Sequence, residues 1–195
     1  MIEKGDDSPM KYLVLSDTHG KINRASRLYQ ETGDFDGIIH LGDNEGDARA
    51  LESQLGTDVF SVKGNMDGGV GVLHRILETE GGKILLTHGH REDVKSSLQR
   101  LLYKTEEEGC KAALFGHTHE PYYGNFDGVI LFNPGSLTLP RAGRLPSYGI
   151  LEIKNGELHL SIAYCQWATE SENATKKTDV QGGYLKDLLN NSDRF

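Results

Sequence analysis

The stretch Met10-Lys11-Tyr12-Leu13-Val14-Leu15-Ser16-Asp17-Thr18-His19-Gly20 opens the ordered part of this chain. Four apolar side chains in succession, Tyr12 to Leu15, run straight into a polar turn ended by glycine, the pattern of a short strand rather than of a helix. The same pattern recurs outward along the chain. Gly37 to Leu41, Val59 to Val62, Ile84 to Thr87 and Ala112 to Phe115 are short apolar runs, each followed by a polar or glycine-rich loop. Between them, Ile22, Ala25, Leu28 and Tyr29 fall at helical spacing behind Asn23 as the expected cap. Ala48, Leu51 and Leu55 do the same, as do Val94, Leu98, Leu101 and Leu102. The first half is therefore an alternating α/β chain.

The second half changes character. Pro121 to Phe126, Val129 to Phe132, Tyr148 to Ile153 and Leu158 to Tyr164 all read as strands with little helix between them. Asn155-Gly156 separates the last two and is a strong hairpin signal. Leu158, Leu160, Ile162 and Tyr164 alternate with polar or small residues, as a sheet with one buried face requires. Two sheets covered by helices use all of these pieces.

A length of 195 residues fits one domain with a sizeable core, expected over residues 10–165. Residues 1–9 are polar and expected to be disordered; residues 166–195 form a polar extension, either an unstructured tail or a short docked helix carrying Tyr184, Leu185, Leu188 and Leu189. Apolar runs of four residues are far below the roughly 20 that a membrane span needs, which excludes a transmembrane helix. Twenty-one basic against 29 acidic residues give a net charge of -8, which opposes binding to a nucleic-acid backbone. With only two cysteines, Cys110 and Cys165, and no signal-like start, the expected location is the cytoplasm.

The chemistry lies at the strand ends. Ser16-Asp17-Thr18-His19-Gly20, Leu41-Gly42-Asp43, Gly64-Asn65-Met66-Asp67, Thr87-His88-Gly89-His90 and Gly116-His117-Thr118-His119 each follow an expected strand. Carboxyl ends of strands are where α/β proteins bind ligands, so residues about 100 positions apart can converge there. Carboxylates, imidazoles and an amide carbonyl suit Mn²⁺, Fe or Zn²⁺, and a pair of such ions about 3.5 to 4 Å apart makes a hydrolytic site. Two divalent ions outweigh two carboxylates, so the pocket would attract phosphate despite the acidic chain.

Asp-x-His, Gly-Asp, Gly-Asn-x-Asp, His-Gly-His and Gly-His-Thr-His, in this order, resemble the calcineurin-like metallophosphoesterases, and in particular their small bacterial and archaeal phosphodiesterase branch. Asn133-Pro134-Gly135-Ser136 and the closing hairpin fit the same branch. The resemblance implies a four-layer αββα sandwich of two mixed sheets flanked by helices. It implies two divalent transition-metal ions, Mn²⁺ first, with Ni²⁺, Fe, Zn²⁺ or Mg²⁺ as alternatives. Asp17, His19 and His119 would hold one ion, Asn65, His88 and His117 the other, and Asp43 would bridge them. The implied reaction is hydrolysis of a small phosphate ester, preferentially a diester, by a metal-held hydroxide, with Asn65 and His90 touching substrate.

One position departs from the family pattern. Many larger relatives carry a histidine after Gly-Asn, where this chain has Met66, whose thioether cannot donate a proton. Asp67 and His90 are the candidates for a replacement acid or a supporting role. His40, within an apolar strand, and His74 and His159, in strand-like segments without a motif, read as ordinary structural residues, and Arg141 and Arg144 as solvated loop positions. Two rival functions share the fold: a protein-interaction scaffold like the retromer subunit, and a nuclease. The full set of seven ligand types favours the enzyme over the scaffold, and the charge disfavours the nuclease. Homo-oligomers occur in this branch and are expected as an option here.

Overall fold

The structure is a computed structural model that describes residues 8–68 and 71–165; the readings made for the first seven residues and for 166–195 lie outside the described residues. In chain order the elements are β1 (Met10–Leu15), α1 (Ile22–Thr32), β2 (Gly37–His40), α2 (Glu45–Leu55), β3 (Val59–Ser61), β4 (His74–Thr79), β5 (Gly82–Thr87), α3 (Gln99–Glu107), β6 (Ala112–Leu114), β7 (Pro121–Phe126), β8 (Val129–Pro134), β9 (Ser147–Lys154) and β10 (Glu157–Tyr164). They form two five-stranded sheets, ordered β10-β9-β1-β2-β3 and β4-β5-β6-β8-β7. Both are mixed. In the first, β1, β2 and β3 are parallel, while β9 runs antiparallel to both its neighbours, β1 and β10. In the second, β5, β6 and β8 are parallel, with β4 and β7 antiparallel at the edges.

The period-two rule of strands builds the layers. Tyr12 and Val14 point between the sheets, where they join Ile39, Leu86, Leu114, Phe132 and Leu151 in the central core. Leu13 and Leu15, one residue out of phase, face the other way and pack with Ala25 and Leu28 of α1 and Leu51 of α2. Leu85, Ala113 and Leu131 likewise meet Leu101 of α3 on the far side of the second sheet. The result is the four-layer αββα sandwich. Among the described residues no helix is long and apolar enough to cross a membrane.

Three local expectations are corrected. α1 begins at Ile22 with Lys21 before it and no side-chain cap, so Asn23 sits inside the first turn. Val94 is buried, but it lies in the turn before α3, its N–H donating to the Gly89 carbonyl at 3.3 Å. The strand-like segment around His74 is β4, His74–Thr79, as expected. Tyr164 is 42% exposed, so the inward alternation of β10 stops at Ile162. Asn155-Gly156 does turn the β9–β10 hairpin, both residues having positive φ, 54° and 74°.

Candidate metal centre

All seven candidate ligands sit on loops that leave the carboxyl ends of parallel strands, and the two sheets bring those ends together. Asp17 and His19 follow β1, Asp43 follows β2, and Asn65 follows β3, all from the first sheet. His88 follows β5, and His117 and His119 follow β6, from the second. The donor atoms of Asp17, His19, Asp43 and His119 all lie within 4.8 Å of one another, and so do those of Asp43, His88 and His117. Asp43 belongs to both groups. Asn65 joins the second group, its Oδ1 3.2 Å from His88 Nε2. Within the groups, His119 Nε2 lies 3.2 Å from Asp17 Oδ1, and His19 and His119 face each other with their Nε2 atoms 3.5 Å apart. His88 Nε2 lies 3.4 Å from Asp43 Oδ1 and 3.2 Å from His117 Nδ1.

The surrounding backbone fixes which nitrogen each imidazole offers. His88 Nδ1 sits 2.7 Å from the Leu41 carbonyl, and His119 Nδ1 sits 2.7 Å from that of Leu139. A carbonyl accepts only, so each Nδ1 carries a proton and each Nε2 is the atom turned into the cluster. There, against the effect of burial, Asp43 and Asp17 raise the pKa of His88, Asp17 raises that of His119, and a metal ion would take the place of the Nε2 proton. The carboxylates are also held. Asp17 Oδ2 accepts the Ser16 hydroxyl at 2.6 Å and the His117 N–H at 3.1 Å, and Asp43 Oδ1 accepts the Met66 N–H at 3.0 Å.

Holding these side chains inward bends the chain. Asp17, His19, Asp43, His117 and His119 have φ of 55°, 47°, 55°, 68° and 57°, five of the ten non-glycine residues with positive φ among the described residues. Such conformations cost about 1 to 3 kcal/mol each and persist where the surroundings over-determine them. The Asn133–Ser136 loop does so here. Ser136 and Thr138 hydroxyls donate to the Asp17 carbonyl at 3.0 and 3.2 Å, and Thr138 also donates to that of Thr18 at 2.9 Å. Asn133 Nδ2 braces the other loop through the Gly116 carbonyl at 2.9 Å. Gly64 is equally constrained, since a Cβ there would collide with the Asp43 carboxylate and backbone.

The electrostatics are those of charges awaiting a partner. Burial raises the Asp43 carboxyl, but His88 and the Met66 N–H outweigh it and hold it below the usual range. Asp17 is likewise raised by burial, more than offset by His119, His88 and Ser16, and ends below its ordinary value. Burial, with His88 and Lys95 adding to it, pushes His117 down to about 4. Most telling is Asp17 Oδ1, which is buried, close to His119 without hydrogen-bonding alignment, and left with no hydrogen-bond partner. An unsatisfied anionic oxygen among inward-facing imidazole nitrogens is a donor set that fits a divalent ion.

The remaining candidates take different places. Asp67 accepts three backbone N–H groups, from Asn44 and Glu45 on Oδ1 at 3.0 and 2.7 Å and from Gly64 on Oδ2 at 2.8 Å, so it braces the Asp43 loop against the Asn65 loop. The His90 ring lies tilted beside His88 and edge-on to His117 at centroid distances of 5.4 and 6.2 Å, and its buried Nδ1 has no hydrogen-bond partner. With Lys63, Asn65 and Arg91 it lines an open cavity of about 660 Å³ beside the cluster. Met66 is 70% exposed. Arg144 pairs with Glu120 at 2.5 Å, and Arg141 is exposed. His159 is exposed near Glu157, while His74 joins Glu92 and Lys104. Cys110 and Cys165 are buried and not joined in a disulfide.

Sandwich, strand-end loops and donor set together define a metallophosphoesterase-type protein. The chain belongs to the calcineurin-like phosphoesterase superfamily, whose domain it matches over residues 10–156. It is 37% identical over 150 residues to the probable metallophosphoesterase YsnB of Bacillus subtilis, covering 75% of this chain and 86% of that one. The phosphodiesterase YfcE of Escherichia coli is 28% identical over 172 residues, covering 73% and 88%. A crystal structure of a conserved Streptococcus pneumoniae protein, described as a predicted phosphoesterase, superposes with a TM-score of 0.67 at 27% identity, covering 80% of this chain and 90% of that one.

Proposed function

We propose that the protein hydrolyses small phosphodiesters with the help of two divalent ions, Mn²⁺ foremost. The observation that carries this reading is the pair of donor groups sharing Asp43, one completed by Asp17, His19 and His119 and the other by His88, His117 and Asn65. Ions held there supply an acidified water as the attacking nucleophile and positive charge for the phosphoryl oxygens. The chain's own residues do the rest. Asn65 and His90 face both the cluster and the open cavity, and Lys63 and Arg91 bring positive charge to its wall, which suits an anionic ester. Burial and the neighbouring His88 hold His90 below its ordinary pKa, which favours a neutral imidazole at neutral pH, a group that can hydrogen-bond a phosphoryl or leaving oxygen without protonating it.

Diesters with good leaving groups are favoured because exposed Met66 offers no proton where larger relatives have a histidine. The name of the Escherichia coli relative, a phosphodiesterase, points the same way. The test is to strip the protein of metal and assay a chromogenic diester against its monoester, restoring Mn²⁺, Ni²⁺, Mg²⁺ or Zn²⁺ in turn. Diester turnover should return with Mn²⁺ and be lost in Asp43→Asn, and His90→Gln should change the pH-rate profile. Binding of ions without turnover of either ester would turn the reading to a scaffold.

A further inference from the structure

The two loops of the first sheet that carry Asp17, His19 and Asp43 are joined by a buried polar chain that takes no part in the chemistry above. His40, at the end of β2, is completely buried in an otherwise apolar strand. Its Nδ1 lies 3.3 Å from the Gly42 nitrogen, which can only donate, so Nδ1 accepts and the proton is on Nε2. Nε2 lies 2.9 Å from the Thr18 hydroxyl and therefore donates to it. Thr18, having accepted, donates its own hydrogen to Asp47 Oδ2 at 2.5 Å. The same oxygen accepts the Gly20 N–H at 2.7 Å. Every hydrogen in this chain has one allowed direction. Thr18 and Asp47 are 0% and 7% exposed, so the chain is largely shielded from solvent.

We propose that His40, Thr18 and Asp47 are positioning residues that set the separation of the Asp17–His19 loop from Asp43, and thereby the affinity of the centre for its ions. The inference rests on the metal-centre reading above. Three facts carry it. Thr18 lies between Asp17 and His19, both held at positive φ, and its hydroxyl is their side-chain link to α2, the helix that carries Asp47. Gly42, at the other end of the chain, immediately precedes Asp43, and its carbonyl accepts the Asp17 N–H at 3.1 Å. Removing the Thr18 hydroxyl would strand the buried His40 N–H and leave Asp47 Oδ2 with the Gly20 N–H alone, so the loops would have to shift to satisfy the imidazole. Groups that orient metal ligands from behind typically govern affinity by about 10- to 100-fold.

The test is Mn²⁺ binding to the chelator-stripped protein by titration calorimetry, with circular dichroism to establish folding. Thr18→Val, which keeps the shape and loses the hydroxyl, should weaken binding by about 10- to 100-fold. Thr18→Ser should restore most of it. Asp47→Ala should also weaken binding, and the double variant should lose less than the sum of the two, because both break one chain. A merely structural role would lower the unfolding midpoint of the metal-free protein and leave the affinity alone. Wild-type affinity in folded Thr18→Val, or strict additivity, overturns the inference. Should Thr18→Val fail to fold, Asp47→Ala read against Thr18→Ser decides by the same criterion. A wild-type protein that binds no divalent ion would instead overturn the function proposed above.

Discussion

At the scale of single residues, His40 makes the sharpest prediction. Burial foremost lowers its pKa from 6.5, against the opposing pull of Asp47, Asp17 and Asp67. The unfolded chain therefore takes up a proton below pH 6.5 that the folded protein refuses, so the stability tied to His40 is complete above 6.5 and falls as the pH drops beneath it. His40→Gln cannot titrate. In metal-free protein, the stability of wild type minus that of His40→Gln should fall by up to about 1.4 kcal/mol per pH unit below 6.5, measured by urea unfolding. A flat difference would mean that His40 is protonated in the fold. The sequence made the ligands legible because Asp17, His19, Asp43, Asn65, His88, His117 and His119 each end a readable apolar run. It hid their supports. Asp47, Ser136 and Thr138 act on Thr18 and Asp17 from 29 to 121 residues away, and nothing in a linear spacing announces such partners.

Secondary-structure elements were legible where period and boundary agreed, as in β1 or the Asn155-Gly156 hairpin, and were lost where tertiary contacts set the ends. β4 read only as a strand-like segment around His74, since its burial pattern lacks a clean alternation and its bounds come from pairing with β5. A polar cluster fastens it further. Glu92, 5% exposed, lies 2.6 Å from His74 Nε2 on β4 and 3.4 Å from Lys104 Nζ on α3, and accepts the Thr87 hydroxyl of β5 at 3.0 Å. Thr87 Oγ1 in turn accepts the Gly89 N–H at 3.2 Å, so the cluster buttresses the turn between His88 and His90. Burial raises the Glu92 carboxyl, but His74, Thr87 and Lys104 prevail and lower it from 4.5. Its contribution is thus present above pH 4.5 and is lost as the pH falls through the lowered folded value. Glu92→Gln should destabilise the protein by about 2 kcal/mol at pH 7, less than a wholly buried pair because His74 and Lys104 remain 29% exposed. The gap from wild type should close as the pH drops below 4.5; a gap independent of pH would assign the cost to packing instead.

The whole molecule places the candidate centre on the seam between its two sheets. Asp17, His19, Asp43 and Asn65 come from the first sheet and His88, His117 and His119 from the second, so each donor group contains residues of both. An ion bound there would tie together two layers otherwise held by the apolar core around Val14, Leu86 and Phe132. It would also neutralise the crowding of buried carboxylate and imidazole groups that the metal-free fold must tolerate, Asp17 Oδ1 above all. Unfolding separates the loops and destroys both donor groups, so binding to the folded state alone stabilises by RT ln(1 + [L]/Kd), about 2.7 kcal/mol per ion at a hundredfold excess over Kd. For a chain of this size that corresponds to a rise in unfolding midpoint of roughly 5 to 10 °C per ion. Thermal melts of stripped protein with and without Mn²⁺ should show this shift, and Asp43→Asn should lose most of it, because Asp43 alone serves both groups. His90→Gln should keep it, since that ring lies outside both groups. Equal shifts in wild type and Asp43→Asn would place the ions elsewhere on an acidic surface, while no shift in wild type would mean that the strained loops serve some end other than holding metal.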